Sequence, residues 1–198
     1  MTLAKQIRTA FILFFILSVL TGIIYPFVVT GLAHLFFPWR ANGSIITEQG
    51  KPIGSLLIGQ SFTVPQYVWG RPSATTPMPY DAQHSMGSNL GPSNPALLTV
   101  IATRIALLQQ GDPNNKELIP VDLVTASGSG LDPQISPAAA YYQAERIANA
   151  RGLSKQEVQA LMQSLIQHRT FGILGEPTIN VLQLNLALDK ASTSKEAP

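Results

Sequence analysis

Cysteine is absent from all 198 residues. That excludes disulfide staples, a thiolate nucleophile, cysteine-ligated zinc and a lipidated N-terminal cysteine, while leaving the compartment open. Charge is scarce as well, since Asp, Glu, Lys and Arg together make up 12% of the chain, where a soluble domain usually carries about 25%. Either part of the surface is covered, or the exterior is polar and rich in Gln, Asn, Ser and Thr. The motifs of common chemistries are missing too. There is no G-x-S-x-G elbow for a serine hydrolase, no G-x-x-x-x-G-K-[ST] loop for nucleotide phosphates, no H-E-x-x-H zinc pair and no TVGYG-type filter. The carboxylates, among them Asp81, Asp122, Asp132 and Glu145, show no clustering that suggests paired acid–base work.

Charge is missing most completely from residues 9–39, which hold no Asp, Glu, Lys or Arg. About 20 apolar residues cross a bilayer core as helix, and a helix satisfies its backbone groups within its own segment. The run therefore predicts a transmembrane helix. A cleaved signal peptide would have an apolar region of only about 7–15 residues and a small-residue cleavage site; this run is too long and lacks such a site. Gly22, Pro26 and Gly31 are tolerated in membrane helices, with a kink expected at Pro26 and the exit at Pro38. Phe36, Phe37 and Trp39 read as an interfacial belt. Lys5, Arg8 and the terminal amine before the helix outweigh Arg40 and Lys51 after it, which favours a cytoplasmic N-terminus. With Lys5 and Arg8 set aside, the rest of the chain carries equal numbers of acids and bases. That balance argues against nucleic acid or an anionic surface as main partner. The expected fold is a single transmembrane α-helix followed by one α+β extracytoplasmic domain. Its parts are a short cytoplasmic N-terminus at 1–8, the helix at 9–39, the domain at 40–190 and a frayed tail at 191–198.

Along that domain, Gly50, Pro52, Gly54 and Gly59 cut residues 45–62 into short extended pieces, with a strand expected at 55–58. Val68-Trp69 reads as the start of another. Residues 71–95 form a long irregular segment with five prolines, whose only charges are Arg71 and Asp81. Tyr80, Met78, Met86 and Leu90 give it apolar anchors, so an ordered loop against a partner and a flexible linker both fit. Asn94-Pro95 starts a helix whose apolar face is Leu97, Leu98, Ile101, Ile105 and Leu108, ending at Gly111. Residues 119–125 read as a strand and 126–130 as a loop. Ser136 caps a helix that runs to Gly152. Ser154 and Glu157 form a capping box before a helix with Val158, Leu161, Met162, Leu165 and Ile166 on its buried face, ending near His168-Arg169. Residues 181–188 fit strand or helix, and Asn180 with Gln183 as a capping box favours helix.

Chemistry could enter at two places. Ser127-Gly128-Ser129-Gly130 lies between a predicted strand and helix, where amides can cradle phosphate, but no lysine accompanies it and Asp132 would repel an anion. A tethered hydrolase would need Ser127 or Ser129 with His84, and a ligand sensor would need a pocket within residues 40–198.

Six stretches stand out together: TGIIYP at 21–26, GSLLIGQSF at 54–62, GRPSA at 70–74, SNLGPSN at 88–94, VDLVTASGSGLDP at 121–133 and NVLQLNLALD at 180–189. In this order they resemble the KdpC family, the C subunit of the bacterial Kdp-type potassium-transporting P-type ATPase, over almost the whole chain. Gln134 departs from the pattern, since the family usually has His there. The resemblance implies a single-pass accessory subunit of the cell inner membrane. Its partners would be a channel-like potassium-translocating subunit, a P-type ATPase catalytic subunit and a small single-helix subunit. It also implies a catalytic chaperone that raises the ATP affinity of the catalytic subunit, with nucleotide bound in a transient ternary complex. The residues themselves offer no Walker motif, so no cofactor of its own is expected and ATP enters only through the complex. Residues 71–94 and 127–133 are the candidate contacts. Within and around them Arg71, Ser73, Asn89, Gly91, Ser93, Asn94, Asp122, Ser127 and Asp132 are the candidate interface residues, and no catalytic or metal-binding residue is expected.

Overall fold

The computed structural model describes residues 2–196. It divides into two compact units, residues 1–45 and 46–198. In the first, α1 (Leu3–Val19) and α2 (Tyr25–Phe36) are joined by a turn of π-helix at Leu20–Ile24. The helix is continuous over 34 residues and by length and composition can cross a membrane. None of its residues is buried within the protein. The irregularity has a chemical cause: Pro26 cannot donate to the carbonyl four residues back, and its ring crowds that carbonyl. The chain widens just before it, so that the Tyr25 amide donates to the Leu20 carbonyl, five residues back. The Thr21 hydroxyl donates to the Leu17 carbonyl at 2.7 Å, which keeps its polar group within the helix. Phe37 leaves helical geometry, and α3 (Pro38–Ala41) follows as a single turn.

The second unit is rich in helix, with two small two-stranded sheets. β1 (Ile45–Glu48) and β2 (Lys51–Ser55) pair across Gln49-Gly50, both at positive φ, the signature of a two-residue hairpin turn. The strand expected at 55–58 is therefore displaced. A two-stranded ribbon has a free edge on each strand, so Pro52 is tolerated. The Ser55 hydroxyl then accepts from the Leu57 amide and turns the chain away. α4 (Pro95–Gly111) starts as expected, the Asn94 side chain accepting from the Ala96 amide. Leu108 is buried and Ile101 and Ile105 pack on the core, but Leu98 points outward.

Residues 119–125 do not form a strand. Val121–Leu123 is a turn of 3-10 helix that buries Leu123. β3 (Gln134–Ile135) pairs antiparallel with β4 (Ile179–Asn180). The helix expected from Ser136 to Gly152 is two helices, α5 (Pro137–Tyr142) and α6 (Ala144–Arg151), separated at Gln143. α7 (Lys155–Ser164) carries the predicted capping box, buries Val158 and Met162, and packs Leu161, Leu165 and Ile166 on the core. It stops at Ser164, so Arg169 does not complement its dipole. Arg169 instead pairs with Glu176 at 2.6 Å. α8 (Val181–Glu196) is helical, with the Asn180 side chain accepting from the Gln183 amide. Its backbone stays helical past residue 190, where the sequence predicts fraying; residues 197–198 of that tail lie outside the described residues.

The core gathers Trp69, Leu108, Leu123, Ile135, Ile147, Val158, Met162, Ile179, Leu184 and Leu188. Into it runs a segment that is neither strand nor helix, residues 65–70, exposed at Pro65 and Gln66 and buried from Val68 to Gly70. Val68-Trp69 thus begins no strand, yet every carbonyl from Pro65 to Gly70 accepts a hydrogen bond from a side chain. Arg146 serves Pro65 and Tyr67, Arg151 serves Gln66, Asn185 serves Val68, Gln143 serves Trp69 and Arg104 serves Gly70. The two side-chain amides also accept from the Val68 and Trp69 N–H groups, at 2.8 and 2.9 Å.

Gln143 has no spare polar capacity: its amide donates to the Trp69 and Ala139 carbonyls, and its oxygen accepts from Trp69 N–H and from Arg146. A buried polar group stripped of its partner costs about 1–3 kcal/mol, more when charged. Gln143→Met, similar in length but unable to hydrogen-bond, is expected to destabilise the protein by about 2–4 kcal/mol. Exposed Gln156→Met should cost less than about 0.5 kcal/mol. Thermal unfolding of the purified full chain followed by circular dichroism checks both.

Candidate functional site

The two segments singled out by the sequence meet. Arg71 leaves the core segment and its guanidinium bonds Asp132 at 3.0 Å and the Thr125 and Ala126 carbonyls at 3.4 and 3.3 Å. The Ser73 hydroxyl donates to the Gly130 carbonyl at 2.7 Å and accepts from the Tyr80 amide at 2.9 Å. Tyr80 closes the loop, its phenol donating to the Arg71 carbonyl at 2.6 Å. Burial pushes the Tyr80 phenol above its ordinary pKa, so the donor form is held there. The Met86 amide bonds the Ser129 carbonyl and the Gly59 amide bonds the Leu131 carbonyl. Residues 71–87 are therefore an ordered loop on their own domain, as opposed to a flexible linker.

Packing in this hub is tight enough to dictate glycine. A Cβ on Gly130, which sits at φ +68°, would lie 2.5 Å from the Met86 carbonyl oxygen. A Cβ on Gly128 would meet nothing within 4 Å.

The predicted residues divide by where the structure places them. Arg71, Ser73 and Asp132 are brought together in the hub. Ser127 is buried beside them, its hydroxyl 3.4 Å from that of Ser129. Asp122 accepts from the Ser136 amide at 2.7 Å, just ahead of α5, and Asn94 caps α4, so both have structural work. Asn89, Gly91 and Ser93 lie apart from the hub, on the approach to α4. Asn89 is at φ +53° and the Gly91 carbonyl accepts from the Asn94 amide.

Neither chemical alternative is assembled. The Gly130 amide donates to the Ser127 carbonyl and the Leu131 amide to the Ser129 hydroxyl, so the loop turns amides inward instead of offering them to a phosphate. The His84 ring bonds Asp81 at 2.7 Å, and that hydrogen bond holds the Asp81 carboxyl below its usual pKa. Among the described residues no hydrogen bond joins His84 to Ser127 or Ser129, and no group of three or more metal-ligating side chains occurs.

What the hub does create is a groove of about 400 Å³ beside the Arg71–Asp132 pair. Asp122, Ile135 and Ser136 line it on one side and Glu176, Pro177 and Thr178 on another. That second side has no signal in the sequence. Residues 167–178 double back as an arm, paired at Gln167↔Thr178 and Thr170↔Leu174, and local periodicity does not report a projection of this kind.

An apolar helix able to cross a membrane, joined to a domain whose notable polar residues bind its own loops, defines a class of membrane-anchored domain proteins without a catalytic constellation among the described residues. The family model described as KdpC: K+-transporting ATPase, c chain, matches residues 7–190, and the chain belongs to that family. It is 57% identical over 183 residues to the potassium-transporting ATPase KdpC subunit of Polaromonas naphthalenivorans, covering 92% of this chain and 93% of that protein. It is 58% identical to the protein of the same name from Methylibium petroleiphilum, covering 92% and 96%, and 55% identical to that of Variovorax paradoxus, covering 96% and 98%.

The geometry of the hub makes a paired prediction. Gly130→Ala forces a side chain into the left-handed region and against a carbonyl, and is expected to cost about 2–4 kcal/mol. Gly128→Ala, two residues away, should leave stability within about 0.5 kcal/mol of the parent. Urea unfolding of the two variants distinguishes a hub that locks the loops from one that merely touches.

Proposed function

We propose that this chain is the non-catalytic, single-pass subunit of an ATP-driven potassium uptake pump. It stabilises the assembly of a channel-like potassium-translocating subunit, a P-type ATPase subunit and a small single-helix subunit. The family match over residues 7–190 carries this reading. The relatives' shared name and the 34-residue apolar helix support it. Residues 1–8 lie in the cytoplasm, 9–39 span the cell inner membrane, and 40–190 form the extracytoplasmic domain, as the excess of cations ahead of the helix favours. The groove lined by Arg71 and Asp132, held in shape by Ser73 and the buried Ser127 behind them, presents the surface on which a partner subunit docks. ATP binds the catalytic subunit, and this chain raises that affinity by binding one state of the pump better than another, which needs no nucleotide contact of its own.

Detergent extraction of the tagged full-length chain from its native membrane tests the first part. Recovery of a channel-like subunit and a P-type ATPase with potassium-stimulated hydrolysis is the expected result. Recovery of this chain alone, under conditions that preserve membrane complexes, would return the tethered-enzyme and sensor readings. For the second part, adding the chain to a complex depleted of it should lower the KM for ATP by about fivefold or more, the lower end of ordinary allosteric coupling. An unchanged KM would remove the chaperone role and leave only assembly.

A further inference from the structure

The arm of residues 167–178 carries an apolar tip that the domain itself leaves bare. Phe171 is 89% exposed, Ile173 76% and Leu174 58%. Scattered exposed apolar residues are ordinary, but three within four positions at the end of a projecting hairpin form a patch. The arm is built to hold its shape. Gln167 and Thr178 exchange backbone hydrogen bonds at 2.8 and 3.0 Å, Thr170 and Leu174 at 2.9 and 3.0 Å, and Arg169 clasps Glu176. The Gln134 side chain ties its base to the sheet, donating to Gln167 at 3.0 Å. Phe171 and Gly172 sit at φ +55° and +76°, the paired left-handed form of a tight hairpin turn already seen at Gln49-Gly50, which fixes the tip and leaves the Phe171 side chain 89% exposed.

We propose that this arm is a docking anchor, its tip of Phe171, Ile173 and Leu174 entering an uncharged apolar pocket on another protein subunit of the pump. The inference rests on the accessory-subunit reading above and names the anchor of that interface. Continuity supports it, because Glu176, Pro177 and Thr178 on the returning limb line the same groove as Arg71, Asp122 and Asp132. Charge selects protein over lipid. Segments that settle in a headgroup layer combine apolar residues such as Trp, Phe or Leu with free Lys or Arg on the polar face, and it is the free cations that this arm lacks. The arm has no Lys, Trp or Tyr, and its one Arg is neutralised by Glu176. Size selects a larger assembly over a second copy of this chain. Three side chains cover far less than the ~1,200 Å² of a stable free-standing interface, so the tip works where other contacts hold the partners together.

The absence of cysteine makes a clean test. Ile173→Cys supplies the only thiol of this chain on an exposed side chain, to be labelled with a benzophenone maleimide on the purified chain, which is then added to a pump complex depleted of it and irradiated. The expected product is one cross-link to another pump subunit, identified by mass spectrometry. In parallel, Phe171→Asp/Ile173→Asp should reduce recovery of the other subunits about tenfold or more, as loss of a buried apolar anchor does. The melting temperature of the variant chain should be unchanged. Undiminished recovery of partners, or a label found on lipid, on a second copy of this chain or on nothing, overturns the proposal. Should the wild-type chain bring down no other subunit, the accessory-subunit reading itself falls, and the arm's role with it. Wild-type recovery alongside an undiminished double variant removes the arm alone.

Discussion

The domain is built around six consecutive peptide groups that no strand or helix serves. Residues 65–70 enter the core between α4, α6 and α8, and burying the Val68, Trp69 and Gly70 peptide groups without partners would cost several kcal/mol, a large share of the net stability of an ordinary domain. Three arginines and two carboxamides supply what a neighbouring strand would have supplied. The break between α5 and α6 follows from the same need. At Gln143 the chain leaves regular helix, and the side chain bonds the Ala139 carbonyl while gripping Trp69. Arg146 lies over the Trp69 indole with its guanidinium carbon 4.2 Å from the ring centroid. Burial lowers its pKa to about 10, so it is still charged at neutral pH. Gly111 ends α4 against the same indole, where a Cβ would stand 2.7 Å from the ring. Helix ends, helix breaks and the position of the hub after Gly70 are all set by this one segment.

That explains where the sequence was readable and where it was not. Signals whose cause is local survived: the Ser154–Glu157 capping box, the Asn94-Pro95 start of α4, and the capped start of α8. Each involves partners within a few residues, which a pattern can register. Val68-Trp69 and residues 119–125 resemble strands in sequence because β-branched and aromatic residues favour sheet. Their environment was decided by side chains as much as 117 positions away. Leu98 fits the periodic face of α4 yet stands in solvent, because burial depends on what opposes a face. The early end of α7 and the arm beyond it had no signal at all, since the Arg169–Glu176 pair that organises the arm looked like helix-end chemistry.

The candidate site shows a related division. Arg71, Ser73 and Asp132 stand in irregular, weakly charged stretches that match family motifs, and in the structure they hold two loops together. Resemblance finds residues that a fold requires as readily as residues that a partner requires, and only geometry separates the two. Asp122 and Asn94 fall on the fold side, each occupied at the start of a helix. The groove and the arm are different in kind. The hairpin turn accounts for the left-handed backbone at Phe171, but nothing in the domain's own packing calls for its exposed phenyl ring.

A subunit with no reacting groups can still change how its partners react, provided it prefers one of their states. Such preference needs a surface that does not deform when it docks, because a compliant surface follows its partner between states and distinguishes none of them. The hub supplies that rigidity. Its loops carry no regular secondary structure beyond one short turn, yet they are pinned by buried hydroxyls, a guanidinium held on three oxygens, and a glycine that admits no Cβ. The poverty of charge then has a mechanical sense. Apolar and neutral polar surfaces read shape at close range, whereas free charges act over about 8–10 Å and are screened by salt. Under the proposed function, a domain that reads the conformation of a neighbour is better served by the first.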